Sequence, residues 1–253
     1  MNTSGSYEKE SSVPVETQQM TVSRWRALRR LWRAELIYLG ALAAFAVLAI
    51  FAHLNPYFGW DLLISERFNW KNFAPAGLFP FMEFVSVFGN RWIPYLLAGV
   101  TAIAFLLLRR RSEAAGLIFS TAGSALINSL FKLLIARPRP ASNLIPIYRD
   151  LATQSFPSGH VTFYVSYFGF LFFTAYALLP RGTMARRVAL ALTGAPVLLV
   201  GLSRVYLGAH WPSDTIGAYL WSGVWLAFSL WMYRRWKLKR TFHKGELAPS
   251  GGQ

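Results

Sequence analysis

The sequence contains no cysteine, which excludes disulfide bonds, thiolate metal sites and cysteine nucleophiles. Charged residues are scarce, at 15% of the chain, whereas soluble domains contain about 25%. Acidic residues are the rarer sign, because 11 Asp and Glu face 26 Lys and Arg and leave a formal net charge of +15. Hydrophobic residues, in contrast, make up 54% of the chain, and the aromatic residues include 10 Trp, 11 Tyr and 20 Phe. This composition is typical of a protein whose solvent is largely lipid.

A strongly basic chain often binds nucleic acid, so the distribution of its charge has to be considered. Here the Lys and Arg residues lie in short clusters between long apolar runs. That arrangement is typical of the loops of a multi-pass membrane protein. The charge pattern therefore favours a lipid bilayer, and not nucleic acid, as the partner of this chain.

Six apolar runs each approach the roughly 20 residues needed to cross a hydrocarbon core. They extend over about Leu36–Leu54, Trp92–Leu108, Glu113–Ala136, Val161–Leu179, Val188–Tyr206 and Ser213–Tyr233. The shorter apolar segment Gly77–Gly89 is predicted to be an interfacial or re-entrant helix in the first outer loop. The expected fold class is all-α: an integral membrane bundle of six transmembrane helices with one extra interfacial helix.

The bundle is predicted to be a single domain, residues 21–240, between two tails. Residues 1–20 are polar and are expected to form a disordered cytoplasmic tail, and residues 241–253 a flexible cytoplasmic tail. Residues 21–33 combine Trp and Leu with arginines and are expected to lie at the lipid headgroups.

The basic clusters predict the orientation of the bundle. There are four such clusters, and they alternate with less basic loops. The first ends at Arg33, the second is Arg109–Arg111, the third lies in the loop Arg181–Arg187 and the fourth begins at Arg234. Because cytoplasmic loops carry an excess of Lys and Arg, both termini are expected to be cytoplasmic in an inner (plasma) membrane.

The remaining polar residues of interest form four clusters within or beside the predicted spans. These clusters are Lys132 with Arg139, Ser158 to His160, Arg204, and His210 with Asp214. Lys132 lies 21 residues after Arg111, which is about 31 Å along a helix. The other clusters lie roughly 25–31 Å from a cytoplasmic arginine. All four are therefore predicted to meet at the outer face of the membrane.

Three cations of this set suit a phosphate group. Lys132, Arg139 and Arg204 supply the positive charge, and the two guanidinium groups match the geometry of phosphate oxygens. Ser158 and Gly159 stand at the predicted start of the fourth span, where free N–H groups and the helix dipole favour an anion.

Two histidines and a carboxylate complete the set. His160 and His210 can donate, accept or attack near neutral pH. Asp214 follows His210 by four residues, so it can hold one imidazole nitrogen and leave the other free to attack. Asp214 could alternatively serve only the helix dipole. The whole set indicates a phosphoryl-transfer site that needs no metal ion and no cofactor.

These clusters form a three-part pattern in chain order: Lys132-x6-Arg139-Pro140, Pro157-Ser158-Gly159-His160 and Ser203-Arg204-x5-His210-x3-Asp214. The pattern resembles the signature of the type 2 phosphatidic acid phosphatase superfamily, which includes glucose-6-phosphatase and the soluble vanadium haloperoxidases. The resemblance implies that His210 is the nucleophile that forms a phosphohistidine, that Asp214 orients it, and that His160 is the general acid. It also implies that the phosphoryl oxygens are bound by Lys132, Arg139, Ser158, Gly159 and Arg204.

The expected function is hydrolysis of a lipid phosphate monoester or pyrophosphate at the outer membrane face. Undecaprenyl pyrophosphate, phosphatidylglycerol phosphate, phosphatidate and lipid A are all candidate substrates, and no obligate protein partner is evident. A lipid-to-lipid phosphotransferase with the same site is an alternative. A non-catalytic membrane transporter is another, although the charges gather at one face and not at mid-membrane.

Several polar residues near the pattern receive simpler interpretations. Arg137 could touch the substrate, but an ordinary headgroup contact is the favoured interpretation for it and for Arg149, and Asp150 is expected to be solvated. Ser203 is expected to support Arg204 by hydrogen bonding. His53 lies outside the pattern and receives no role.

Overall fold

The computed structural model describes the backbone of residues 15–149 and 151–246, and the side chains of residues 35–149 and 151–238. Within these ranges the chain forms α-helices and no strand, which confirms the all-α prediction. The helices are α1 Val15–Leu54, α2 Gly59–Arg67, α3 Leu78–Val87, α4 Ile93–Leu107, α5 Arg111–Ile135, α6 Gly159–Leu178, α7 Met184–Tyr206 and α8 Pro212–Glu246.

Four helical segments of the described chain are long and apolar enough to cross a membrane. They are Glu35–Leu54, Arg111–Ile135, Gly159–Leu178 and Met184–Tyr206, and α3 and α4 are shorter apolar helices. The other two predicted spans also lie on helices, one on α4 and one on α8. The protein is therefore an integral membrane protein built from helices.

The surface of α5 has the polarity expected for a helix in lipid. Leu126 and Leu133 are 73% and 69% exposed, whereas Ser120, Ser124 and Asn128 on the same helix are buried. Polar side chains inside a membrane bundle face its interior, because lipid offers them no hydrogen-bond partner. This inside-out pattern makes the interior of the bundle the place to look for a polar site.

The chain divides into two compact units, residues 1–40 and residues 41–253. In the second unit α6 is central and packs against α5, α7 and α8. Around it α4 packs on α5, α5 on α8, α3 on α7 and α2 on α8. The neighbours of α6 thus bring together the ends of four helices that are separate in sequence.

The structure changes several boundaries of the predicted organisation. Helix α1 begins at Val15, inside the segment 1–20 that was expected to be disordered, and residues 1–14 lie outside the described chain. Helix α8 continues to Glu246, inside the expected flexible tail, and residues 247–253 are not described. Helix α3 occupies the predicted short segment, whereas α2 was not predicted at all.

Candidate active site

The predicted site residues lie where helices begin or end at one end of the bundle. Lys132 is in the last turn of α5, Arg204 is in the last turn of α7, and Asp214 is in the first turn of α8. Ser158 is the N-cap of α6, so Gly159 and His160 open that helix. Arg139 lies in the segment after α5, and His210 lies in the short connection between α7 and α8.

His210 lies between an arginine and a carboxylate. Its Nε2 atom is 3.1 Å from Nη1 of Arg139, and its Nδ1 atom is 3.4 Å from Oδ2 of Asp214. An arginine can only donate, so Nε2 accepts and the ring proton resides on Nδ1, which donates to Asp214. This tautomer leaves the lone pair on Nε2, the nitrogen on the side of Arg139.

The carboxylate of Asp214 is fully buried and held by several donors. Its Oδ2 atom accepts from the backbone N–H of Trp211 at 2.9 Å and from the hydroxyl of Ser155. Its Oδ1 atom accepts from Nη1 of Arg137 at 2.7 Å. A carboxylate fixed by this many donors can hold the imidazole of His210 in one orientation.

Arg137 is a buried structural cation, and the expectation that it contacts lipid headgroups was wrong. The side chain is fully buried and bridges two carboxylates, with 2.7 Å to Asp214 and 2.8 Å to Asp61. It also lies 4.7 Å from the centroid of the Phe58 ring. Charges buried in a protein are paired in this way because an isolated charge loses its hydration without compensation.

Asp61 reaches this network from α2, the helix that was not predicted. Its Oδ1 atom accepts from the backbone N–H of Ser213 at 2.8 Å, and its Oδ2 atom accepts from the hydroxyl of Ser213 at 2.6 Å. Ser213 directly precedes Asp214 at the start of α8. The α2 helix thereby fixes the first turn of the helix that carries the orienting carboxylate.

The two cations on either side of α5's end are also held by backbone carbonyl groups. Lys132 donates to the carbonyl oxygen of Gln154. Arg139 donates through Nε to the carbonyl oxygen of Thr153 at 2.7 Å and through Nη1 to that of Ala209 at 2.5 Å. These partners are neutral, so neither side chain forms an ion pair with them and both keep their positive charge near His210.

Two of the predicted phosphate-binding groups contain buried atoms without a hydrogen-bond partner in the described chain. They are the hydroxyl of Ser158 and Nε of Arg204, whose Nη1 donates to Ser86 at 2.6 Å. Buried polar atoms are nearly always paired, so unpaired ones need an explanation. Both atoms belong to the predicted phosphate-binding residues (the phosphate cradle: Lys132, Arg139, Ser158, Gly159 and Arg204). The oxygens of a bound phosphate would supply the missing hydrogen-bond partners.

His160 is positioned by the end of α3. Its Nε2 atom is 3.0 Å from Oδ1 of Asn90, so the ring donates a proton to the amide oxygen. Gly89 makes this position possible, because a Cβ atom there would lie 2.3 Å from Cδ2 of His160. Gly89 and Asn90 do not belong to the three-part pattern, and both lie in the first predicted outer loop.

Two cavities meet at His160. The larger has a volume of about 560 Å³ and is lined by Lys132, Arg139, Gly159 and His210, and by apolar side chains of α4 and α5. The smaller has a volume of about 330 Å³ and contains Arg204. Both volumes are in the range of roughly 300–1,000 Å³ that is usual for small-molecule sites.

The electrostatics of the connection at His210 favour a neutral imidazole. Burial holds the pKa of His210 well below its ordinary value, and the neighbouring charges of Arg139 and Lys132 lower it further. Burial also lowers the pKa of Arg139 to about 10, so this guanidinium remains charged near neutral pH. A neutral His210 beside fixed cations can act as a nucleophile toward an anion.

Most predicted site residues therefore come together, and the structure adds three that the sequence did not indicate. Arg137 contacts Asp214 and Asn90 contacts His160 through their side chains, and Asp61 is linked to Asp214 through Arg137. Ser203 does not contact Arg204 through its hydroxyl, which donates to the carbonyl oxygen of Met82 at 2.6 Å. Asp150 lies outside the described residues.

Comparison with known proteins identifies the family. The PAP2 superfamily model matches residues 113–238. Undecaprenyl-diphosphatase of Sulfolobus acidocaldarius is 28% identical over 196 residues, 74% of this chain and 86% of that protein. Lipid A 1-phosphatase of Rhizobium johnstonii is 32% identical over 229 residues, 82% of this chain and 85% of that protein.

The fold has a solved counterpart. The crystal structure of the transmembrane PAP2-type phosphatidylglycerolphosphate phosphatase from Bacillus subtilis aligns with a TM-score of 0.67. The two share 22% sequence identity over 78% of this chain and 96% of that one. Together with the family model and the relatives, which are named phosphatases, this shows that the chain belongs to the PAP2 superfamily.

Proposed function

We propose that this protein hydrolyses a lipid phosphate monoester or pyrophosphate through a phosphohistidine on His210, without a metal ion. The observation that carries the proposal is the pair of contacts on the imidazole of His210, Asp214 at Nδ1 and Arg139 at Nε2. Asp214 keeps the lone pair on Nε2, and an incoming phosphate oxygen would accept from Arg139 in its place and so release that lone pair for attack. The relatives named undecaprenyl-diphosphatase and lipid A 1-phosphatase support the same class of substrate.

The larger cavity supports a lipid as the substrate. Its polar end contains His210 and Lys132, and its lining continues along α5 to Ile118 and along α4 to Ala98 and Gly99. Ile118 lies 14 residues before Lys132, which corresponds to about 21 Å of helix. An apolar groove of that length beside a phosphate site suits an acyl or prenyl chain.

In the first step Nε2 of His210 attacks the phosphorus atom, and the bond from phosphorus to the leaving oxygen breaks. His160, protonated on both ring nitrogens for this step, gives the Nδ1 proton to that oxygen, which leaves as an alcohol or a phosphate, and keeps its Nε2–H on Asn90. Asp214 stabilises the imidazolium of His210 by accepting from Nδ1–H. Lys132, Arg139 and Arg204, with Ser158 and the N–H groups at Gly159, bind the non-bridging oxygens.

In the second step a water molecule attacks the phosphohistidine and restores His210. His160, now without its proton, takes one from the water, and inorganic phosphate is released. The cations that stabilise the first transition state also stabilise the second, because both place the negative charge on the same oxygens.

We place this site at the outer face of an inner membrane, with both termini in the cytoplasm. The proposal counts six spans, on α1, α4, α5, α6, α7 and α8, and places α3 at the interface. It also treats residues 21–240 as the phosphatase domain. The supporting argument is depth: each site cluster lies about one bilayer thickness along its helix from a basic loop.

The test is phosphate release by the purified full-length protein in detergent micelles, assayed in EDTA. The panel contains a prenyl diphosphate, phosphatidylglycerol phosphate, phosphatidate and lipid A. Wild type is expected to release inorganic phosphate, and His210→Ala is expected to release none while keeping its melting temperature. Transfer of phosphate to lipid, without free phosphate, would indicate a phosphotransferase.

A matched control is His53→Gln, because His53 lies outside the site and its side-chain hydrogen bond among the described residues is to the carbonyl oxygen of Ile135. This variant is expected to keep activity. Activity of His210→Ala near the wild-type level, or a strict requirement for Mg²⁺, would overturn the proposed mechanism.

A further inference from the structure

The smaller cavity is strongly basic. Its lining contains three guanidinium groups, those of Arg91, Arg149 and Arg204, and one carboxylate, that of Glu83. Arg204 belongs to the phosphate cradle described above, but Arg91 and Arg149 lie outside the three-part pattern. The cavity therefore extends the positive potential of the site beyond the position of a single phosphate.

The carboxylate in this cavity has its own partners. Oε1 of Glu83 accepts from the hydroxyl of Tyr148 at 2.6 Å and from Nη2 of Arg149 at 3.0 Å. These contacts hold Arg149 at the rim while it remains 61% exposed. In the described chain Arg91 has neither a hydrogen bond nor an ion pair, so the cavity keeps an excess of positive charge.

The smaller cavity shares His160 with the larger one. His160 lines both cavities, and so do Arg91 and Leu151. His160 is the residue that protonates the leaving oxygen, so the next group of the substrate beyond that oxygen lies near it. A group seated among Arg91, Arg149 and Arg204 is therefore attached to the leaving oxygen, while its lipid chain turns into the groove.

We propose that the smaller cavity binds a second phosphate on the leaving side of the scissile bond, so that the enzyme prefers lipids carrying two phosphates. This inference rests on the proposed function. The second phosphate could be joined to the first directly, as in a prenyl diphosphate, or through glycerol, as in phosphatidylglycerol phosphate. Guanidinium groups bind phosphate in two-point contacts, which suits either source.

Hydrolysis of a lipid diphosphate requires water as the only other reactant. His210 forms a bond to the terminal phosphorus atom, the bridging oxygen bond breaks, and the lipid monophosphate leaves with the proton of His160. Water then releases inorganic phosphate from His210. The lipid monophosphate lacks a second phosphate, so it is a poor substrate and is expected to accumulate.

The experiment compares kcat/KM of the purified protein on four lipids. A prenyl diphosphate is paired with its monophosphate, and phosphatidylglycerol phosphate is paired with phosphatidate. Wild type is expected to prefer the two-phosphate member of at least one pair, and the pair that shows the preference identifies the source. Arg149→Gln is expected to reduce that preference about tenfold, the worth of one charge-assisted hydrogen bond.

Arg91→Gln provides a second variant, in case substitution of Arg149 disturbs Tyr148 and Glu83. Lys71→Gln is the control, because Lys71 is exposed in the connection between α2 and α3, lies over the Trp70 ring and lines neither cavity. The control is expected to leave the preference unchanged. Equal wild-type activity on both members of each pair, or an equal loss on both in the two arginine variants, overturns this inference alone. Absence of phosphate release from all four lipids overturns the proposed function itself.

Discussion

Asp61 and Arg137 form an ion pair in which both side chains are fully buried, with 2.8 Å between Oδ2 and Nη2. The pair joins residues 76 positions apart in the chain. Because Arg137 also pairs with Asp214, the charge of one residue in α2 is linked to the carboxylate that orients His210. The position of His210, the proposed nucleophile, thus depends on a helix that contributes nothing to the three-part pattern.

Asp61→Asn is expected to lower both stability and turnover. The change leaves Arg137 with one carboxylate instead of two, and loss of one buried hydrogen bond between charged groups costs about 1.5–3 kcal/mol. Arg137 then draws Asp214 away from His210, so kcat is expected to fall at least about tenfold while KM changes little. Thermal melting in detergent and phosphate-release kinetics measure the two effects.

The double variant Asp61→Asn with Arg137→Gln tests the guanidinium that holds Asp214. It leaves Asp214 as a buried carboxylate without a cationic partner, so its melting temperature is expected to fall below that of Asp61→Asn alone. Its kcat is expected to fall further as well, because Asp214 has lost its guanidinium partner. A double variant with the kcat of Asp61→Asn would contradict a role of Arg137 in holding Asp214.

The acid limb of the pH profile of kcat/KM is expected to report the protonation of His210. Burial and the charges of Arg139 and Lys132 lower its pKa, so the attacking neutral form persists below the ordinary value of about 6.5. Arg139→Gln removes one of these cations, so the pKa of His210 rises and the limb moves to higher pH.

Arg139→Lys retains the charge and is expected to show a smaller displacement. The profile to compare is kcat/KM on one substrate, so that titration of the substrate is common to all three proteins. Superimposable acid limbs for wild type and Arg139→Gln would exclude this electrostatic coupling.

Gly89→Ala is expected to impair the general acid. A Cβ atom at this position would lie 2.3 Å from Cδ2 of His160, so the imidazole has to leave Asn90. A tenfold or larger fall in kcat is expected, since an error of about 1 Å in a catalytic group can cost roughly 100-fold. Gly223→Ala is the control because no atom lies within 4 Å of its added Cβ.

The sequence predicted the helices and the convergence of the three motifs because both depend on local signals. The length of an apolar run marks a span, and 1.5 Å per residue converts spacing into depth. No local signal links Asp61 to Ser213, which lies 152 residues away. The expectation for Arg137 failed for the same reason: a headgroup contact and a buried ion pair look alike until the partner is known.

The first loop shows the same limit. Helix α2 is short and carries charged residues, so it lacks the apolar length that identified the other helices. Asn90 is an ordinary polar residue at the end of α3, and only the fold places it against His160. Contacts between distant segments set these two positions, and a single sequence does not encode them in any periodic form.

The absence of cysteine makes the proposed topology directly measurable. Ser142→Cys lies in the exposed segment after α5, and Met184→Cys lies at the start of α7, where Met184 is 69% exposed. An impermeant thiol reagent applied to intact cells is expected to label Ser142→Cys only. Met184→Cys is expected to react after the membrane is opened, and labelling of both in intact cells would contradict the orientation.

The ion pair of α2 also has a consequence for biosynthesis. Asp61 emerges from the ribosome before Arg137, and Asp214 and His210 emerge after both, so the network is completed only when α8 enters the membrane. A nascent chain that ends with α7 contains Lys132, Arg139 and Arg204 but lacks both His210 and Asp214, and its Arg137 has only Asp61 as a carboxylate partner. In the proposed mechanism such a chain cannot cleave a lipid phosphate, so catalytic competence arises at the last step of insertion.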